Sequence, residues 1–180
     1  ILNITACIIL LFKNGFDVSS LQHSVQSLGM VKRRQEERGL YKGRLVIDDF
    51  AHHPKAIDLT IDAIRVKYPN KKIMTIFEPI SATARSAIFQ IEFARTLGKS
   101  DSVIIAANPL KTTVSESENL NTALLVEHLK SDGHYAAEAK DLTVLQAEID
   151  KAVEDHDILL ILSNRTCLGL WESQFVKDLK

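Results

Sequence analysis

Arg44-Leu45-Val46-Ile47-Asp48-Asp49-Phe50-Ala51-His52-His53-Pro54 is the stretch on which the fold turns. An apolar run ends in two carboxylates, an aromatic and a small residue follow, and two imidazoles stand before a proline. Proline suits the first turn of a helix, where its missing N–H would go unbonded anyway. A strand that is apolar along its whole length is buried on both faces, and one that feeds a helix belongs to a parallel sheet. The pattern repeats downstream. Apolar segments at 72–77, 102–106 and 158–163, with a weaker one at 134–137, alternate with helical periods at 54–68, 82–97, 120–129, 142–153 and 170–179. Residues 39–41 supply a hairpin partner for the strand at 44–49. The expected fold is α/β: a Rossmann-like, mostly parallel sheet with helices on both faces, preceded by a short helical segment.

That preceding segment reads as a buried helix over 3–13, closed by Asn14-Gly15. A second helix runs from the cap Asp17-Val18-Ser19-Ser20 to about residue 28, with Val18, Leu21, Val25 and Leu28 on one face. Two short helices bury no core alone, so they are expected to end a preceding domain or brace the next one. In Lys32-Arg33-Arg34-Gln35-Glu36-Glu37-Arg38-Gly39, seven of eight residues are charged or amide-bearing, which marks a hinge. The expected boundary lies at 29–31, dividing 1–29 from an α/β domain over 30–180. The first residue is Ile1, inside an apolar stretch without a basic n-region, so a chain cut from something longer is expected rather than a signal peptide.

Composition narrows the function classes. Of 180 residues, 46% are hydrophobic and 25% charged, and 22 Lys+Arg against 23 Asp+Glu leave a formal net charge of -1. That balance lacks the basic footprint of a nucleic-acid binder. Cys7 and Cys167 share no metal spacing and fit a reducing compartment. The longest apolar run, 6–12, is too short to span a bilayer. The expectation is a soluble cytoplasmic protein with neither nucleic acid nor membrane as partner.

In a parallel sheet, ligands sit beyond the carboxyl ends of the strands, which singles out 48–54, 78–85, 107–113 and 163–169. A helix N-terminus beside His52 and His53 favours an anion, and Asp49 at a strand end suits a ribose hydroxyl. Alternatively, Asp49 caps the helix and the histidines are surface residues. Lys32-Arg33-Arg34 suits phosphate or ribose, or a solvated linker. Ser81, Thr83 and Arg85 follow a strand and open the helix at 82, where amides bind anions or simply are capped. Asn108-Pro109 and Ser163-Asn164 stand at two further strand ends. Cys167 has no base placed beside it, and Trp171 reads as a packing anchor. The sequence contains no G-x-x-x-x-G-K-[ST] phosphate loop, no G-x-G-x-x-G after the first strand and no metal-spaced cluster.

Taken together, Val31-Lys32-Arg33-Arg34-Gln35-Glu36, Asp48-Asp49-Phe50-Ala51-His52-His53-Pro54, Glu78-Pro79 and Ser163-Asn164 resemble, in order and spacing, the C-terminal domain of the Mur ligases. Within that family, D-D-F-A-H-H-P, the E-P and the late S-N look most like the murein tripeptide ligase. The L-alanine ligase has Tyr-Gly where this chain has Phe50-Ala51. The resemblance implies an ATP- and Mg2+-dependent amide ligase joining UDP-N-acetylmuramate to L-alanyl-γ-D-glutamyl-meso-diaminopimelate, through an acyl phosphate that the incoming amine displaces. It implies that 1–29 end the central ATPase domain, and that the phosphate loop and magnesium ligands lie on other domains. The fragment alone should then be inactive. The partners implied are the UDP-sugar, the tripeptide and the ligase's own N-terminal and central domains. Carried over by residue, Arg34 approaches the nucleotide, Asp49 takes the ribose and His52 lies near the nucleotide. Ser81, Thr83, Arg85 and Asn164 face the acceptor. Arg34 and Asp49 are expected at an exposed crevice. The chain departs from the family's E-P-R-S-N-T at Ile80 and Ala82, and from S-N-G-x-F-G-G beyond Asn164. A non-catalytic binding module of the same shape is the rival from another class.

Overall fold

The computed structural model describes residues 2–27, 31–107 and 118–180. The chain falls into two compact units, Ile1–Lys32 and Arg33–Lys180. The first contains α1 (Leu2–Lys13) and α2 (Val18–Ser27). Asp17 caps α2, its carboxylate accepting the Ser20 amide at 2.9 Å. The expectation of a buried first helix is corrected: Ile9, Leu10 and Phe12 are exposed, and among the described residues of this unit Leu21 is the apolar side chain that is buried. The end of the second helix near residue 28 and most of the boundary at 29–31 lie outside the described residues.

The second unit is built on six strands: β1 (Glu36–Tyr41), β2 (Arg44–Asp49), β3 (Ile73–Phe77), β4 (Ser102–Ala106), β5 (Tyr135–Ala139) and β6 (Ile158–Leu162). Their order is β1-β2-β6-β3-β4-β5, with β1 antiparallel to β2 and every other pairing parallel. Helices α3 (Pro54–Lys67), α4 (Gln90–Leu97), α5 (Thr122–Ser131), α6 (Leu142–Ala152) and α7 (Gln174–Lys177) connect and cover them. The apolar side chains divide between two faces. Ile57, Ile61 and Ile64 of α3 join Phe93, Leu97, Leu125 and Leu129 over Ile47, Phe77 and Val103. On the other side, Leu145, Ile149 and Phe175 cover Val46, Ile76, Ile104 and Leu159. This is the doubly covered parallel sheet that continuous apolar strands require.

Four expectations change in detail. Residues 36–39 are not a loose hinge but the first four residues of β1, whose Glu36 pairs with Asp48. The helix expected from residue 82 begins at Gln90, after turns and a short 3-10 stretch at Ala87–Phe89. There the Arg85 carbonyl accepts from Leu120 N at 2.7 Å and Ser86 bridges Asn119, so a neighbouring segment holds this backbone out of the helix. Leu59 and Val66, which the sequence counts among the apolar residues of this helix, lie two positions off the Ile57–Ile61–Ile64 stripe and are 57% and 83% exposed. The closing helix is reduced to a 3-10 turn at Leu170–Glu172 and the four-residue α7.

Candidate functional site

The register sets Asp49 opposite Leu162 and Phe77 opposite Leu162, so β2, β6 and β3 end level with one another. The next residues, Phe50, Ser163 and Glu78, therefore start their loops side by side.

At the end of β2, Asp49 is 3% exposed. One carboxylate oxygen accepts the Ala51 amide at 2.7 Å and the other the Gln35 amide at 2.9 Å. This corrects the exposed crevice expected for Asp49: two backbone N–H groups would be stranded without it. The helix cap is His53, whose Nδ1 accepts from Lys55 N at 3.2 Å. His52 uses Nδ1 to donate to the Phe50 carbonyl at 2.9 Å, since a carbonyl only accepts, which leaves Nε2 for a ligand. Arg34 is exposed, its guanidinium 5.3 Å from the Phe50 ring centroid.

The neighbouring Arg33, rather than Arg34, enters the fold. Its Nε lies 3.1 Å from Asp48, which is 1% exposed. Its Nη2 donates to the carbonyls of Ser163 at 2.6 Å and Arg165 at 2.9 Å. Burial pushes the Asp48 carboxyl up from its ordinary value, against the pull of the Arg33 charge.

Beyond β3, Glu78 is 1% exposed and binds the loop after β6. It accepts from Ser163 Oγ at 2.6 Å, Cys167 N at 3.2 Å and Leu168 N at 3.0 Å. Cys167 and Leu168 adopt left-handed backbone with φ of 54° and 53°, aiming successive amides at one carboxylate. Burial raises the Cys167 thiol far above its usual range, with Glu78 adding to the effect, so this cysteine is inert.

On the acceptor side the expected residues are less gathered. Ser81 Oγ accepts from Ala84 N at 3.1 Å, and Thr83 is exposed. Because no helix starts here, the anion-binding helix amides expected at residue 82 are not formed. Two of the expected residues each keep a buried polar atom without a hydrogen-bond partner: Arg85 Nε, a donor, and Asn164 Oδ1, an acceptor. The segment at 107–113, with Asn108-Pro109, lies outside the described residues apart from Ala107. Among the described residues no group of three or more His, Cys, Asp or Glu side chains is placed to hold a metal ion. No helix among them is long and apolar enough to cross a membrane.

The sequence singles out the Lys32-Arg33-Arg34 run, the Asp48-Asp49 pair and Glu78-Pro79, but it does not show that Arg33, Asp48 and the Glu78 side chain tie these loops together. One signal was available for Glu78. A carboxylate that directly continues a fully apolar strand is buried and needs donors.

Comparison with known proteins fits this geometry. The profile of the Mur ligase glutamate ligase domain matches residues 33–165. A UDP-N-acetylmuramate–L-alanine ligase of Streptococcus gordonii is 43% identical over 106 residues, covering 59% of this chain and 24% of its own. The chain therefore spans about a quarter of the length of the curated relatives it matches. A murein peptide ligase of Psychrobacter arcticus shares the fold, with a TM-score of 0.72 over 98% of this chain and 36% of its own, at 22% identity. A domain ascribed to a UDP-N-acetylmuramate:L-alanyl-γ-D-glutamyl-meso-diaminopimelate ligase of Haemophilus ducreyi has a TM-score of 0.58 at 28% identity. It covers 81% of this chain and 99% of its own.

Proposed function

The chain belongs to the Mur ligase family, whose glutamate ligase domain its residues 33–165 match, and from this we propose that it serves an ATP-dependent amide ligase of cell-wall peptide recycling. The donor is UDP-N-acetylmuramate and the incoming amine is L-alanyl-γ-D-glutamyl-meso-diaminopimelate. The reaction runs in the cytoplasm and draws on ATP and Mg2+ for carboxylate activation.

The tripeptide reading is supported by the form of the motifs, Phe50-Ala51 within D-D-F-A-H-H-P together with the E-P and S-N that meet at Glu78. The E-P and S-N matches lie 85 residues apart in sequence, yet the Ser163 hydroxyl donates to Glu78. Two motifs that point to the tripeptide ligase are one hydrogen-bonded unit, so their joint presence is a single structural choice.

The roles follow from the chemistry of each group. Arg34 is exposed and cationic beside Phe50 and suits the nucleotide phosphates. His52 offers Nε2 to the nucleotide, and Asp49 holds the turn that carries both, with its remaining lone pairs for a ribose hydroxyl. Asn164 Oδ1 lacks a donor and Arg85 Nε lacks an acceptor. An amino-acid or peptide substrate brings both, as an N–H and a carboxylate. Ser81 and Thr83 add hydroxyls on the same loop as Arg85. Most of the work is positioning and charge neutralisation. Residues 1–29 belong, on this reading, to the central domain of the same ligase.

A second reading, with free L-alanine as the amine, is favoured by the 43% identity to the S. gordonii enzyme. Competing the two amines in the full-length gene product, with UDP-N-acetylmuramate and ATP, separates them. The tripeptide should win on kcat/KM; victory for L-alanine reassigns the acceptor. If neither is ligated, and the gene encodes no glycine-rich phosphate loop, a non-catalytic binding module replaces the ligase reading.

A further inference from the structure

Arg33 is the first residue of the second unit and is tied to three separate segments. Its amide donates to Glu36 at 2.7 Å, and its carbonyl accepts from Phe50 N at 2.9 Å. The side chain pairs with Asp48 through Nε, while Nη2 serves two carbonyls, those of Ser163 and Arg165. Those carbonyls flank Asn164. One guanidinium therefore fixes the peptide just before Asn164 and the one that follows Arg165. Arg33 adopts a left-handed φ of 56° to do this, a conformation that L residues rarely take without tertiary support.

We infer that Arg33 is a positioning residue: from the start of the second unit it fixes the loop that presents Asn164. A planar guanidinium can serve a carboxylate and two carbonyls together from separate nitrogens; an ammonium is a compact point charge whose three donors sit on one atom, with no such fork. Glu78 anchors the same loop from the β3 side through Cys167 N and Leu168 N. Arg33 supplies the opposing anchor, and Asn164 Oδ1 is held between them without a protein partner. The consequence for catalysis rests on the ligase reading; the mechanical link does not.

Two measurements test it. In the 180-residue chain, amide hydrogen exchange is compared for the parent, Arg33→Lys and Arg33→Met. The amides of Arg165, Cys167 and Leu168 should exchange about tenfold faster or more in both variants, with β3 and β4 unchanged. Uniform acceleration across the sheet would mean general destabilisation, and no change at 165–168 would mean no link; either result overturns the inference. Arg33→Lys keeps the charge at Asp48, so it remains informative if Arg33→Met fails to fold. In the full-length gene product, Arg33→Lys should raise the KM for the incoming amine about tenfold, with kcat and the apparent KM for ATP within about twofold. Equal rises in both KM values, or a fall in kcat alone, also overturn it. A parent enzyme that ligates nothing removes the ligase reading and leaves the exchange experiment to decide about Arg33.

Discussion

The two ends of the sheet use carboxylates in the same way and pay different costs. At the amino end, Asp101 accepts from Ile73 N at 2.7 Å and Arg65 at 2.8 Å, and Asp157 from Lys72 N and Lys71 at 2.9 Å. Their side chains are 37% and 36% exposed. At the carboxyl end, Asp48, Asp49 and Glu78 also collect donors, but they are 1%, 3% and 1% exposed. Water shares the load at the amino end. The carboxyl end hides its charges, so each depends wholly on the loops around it. The difference shows where the protein accepts strain, and that is the edge where the family's ligands would bind.

The largest expected effect is at Glu78. Glu78→Ala leaves Ser163 Oγ, Cys167 N and Leu168 N without their acceptor in a buried site and should cost at least about 3 kcal/mol in urea unfolding. A loss below about 1 kcal/mol would show that water replaces the carboxylate, and the contrast between the two ends would collapse. Next come Asp49 and Arg34, which the sequence places in one crevice. Asp49→Ala strands two backbone amides and should cost about 2 kcal/mol. Arg34→Ala removes an exposed side chain and should cost about 0.5 kcal/mol or less while raising the apparent KM for ATP in the full-length enzyme. Equal stability losses would break the distinction.

The smallest effect is on pH dependence, where the two ends should act in opposite senses. Burial raises the Asp101 carboxyl, but the Ile73 amide and Arg65 outweigh it and hold it below its ordinary value. Lys71 and the Lys72 amide lower Asp157. Both therefore give stability that is present above the ordinary value of 3.8 and lost as pH falls below it. Asp48 is raised instead, so its folded form keeps a proton that the unfolded form releases, and stability falls as pH climbs above 3.8. Unfolding midpoints between about pH 3 and 6 should show Asp101→Asn flattening the acid-side loss and Asp48→Asn flattening the decline on the rising side. Matching pH profiles for the two variants would sink this contrast.

Much of this architecture was legible without coordinates. The apolar strands at β2, β3, β4 and β6 and the helices between them follow from hydrophobic runs that burial on both faces requires. The loop at 48–54 stood out because carboxylates, imidazoles and a proline meet where a strand becomes a helix. The start of α4 was not legible. Residues 82–89 are compatible with a helix locally, but the Arg85 carbonyl is taken by Leu120 N and Ser86 bridges Asn119, contacts from a segment over thirty residues away. Of Glu36–Tyr41, local pattern announced the hairpin partner at 39–41 but not the charged residues 36–38, which pair with β2 all the same.

What the sequence by itself determined is the doubly covered parallel sheet and the chemistry gathered at its carboxyl edge, since both depend on residue type and spacing along the chain. What only the tertiary structure decided is which member of a similar pair does what. Arg33 and Arg34 are the same residue one position apart, and Asp48 and Asp49 likewise. One arginine turns inward to carbonyls 130 and 132 residues away while the other stays exposed beside Phe50. Asp48 meets a guanidinium and Asp49 meets two backbone amides. For Asp48 and Asp49 the physical reason is that successive residues of a strand point to opposite sides; for Arg33 and Arg34 it is the turn made by the left-handed backbone at Arg33, and what waits on each side is set by segments far away in sequence.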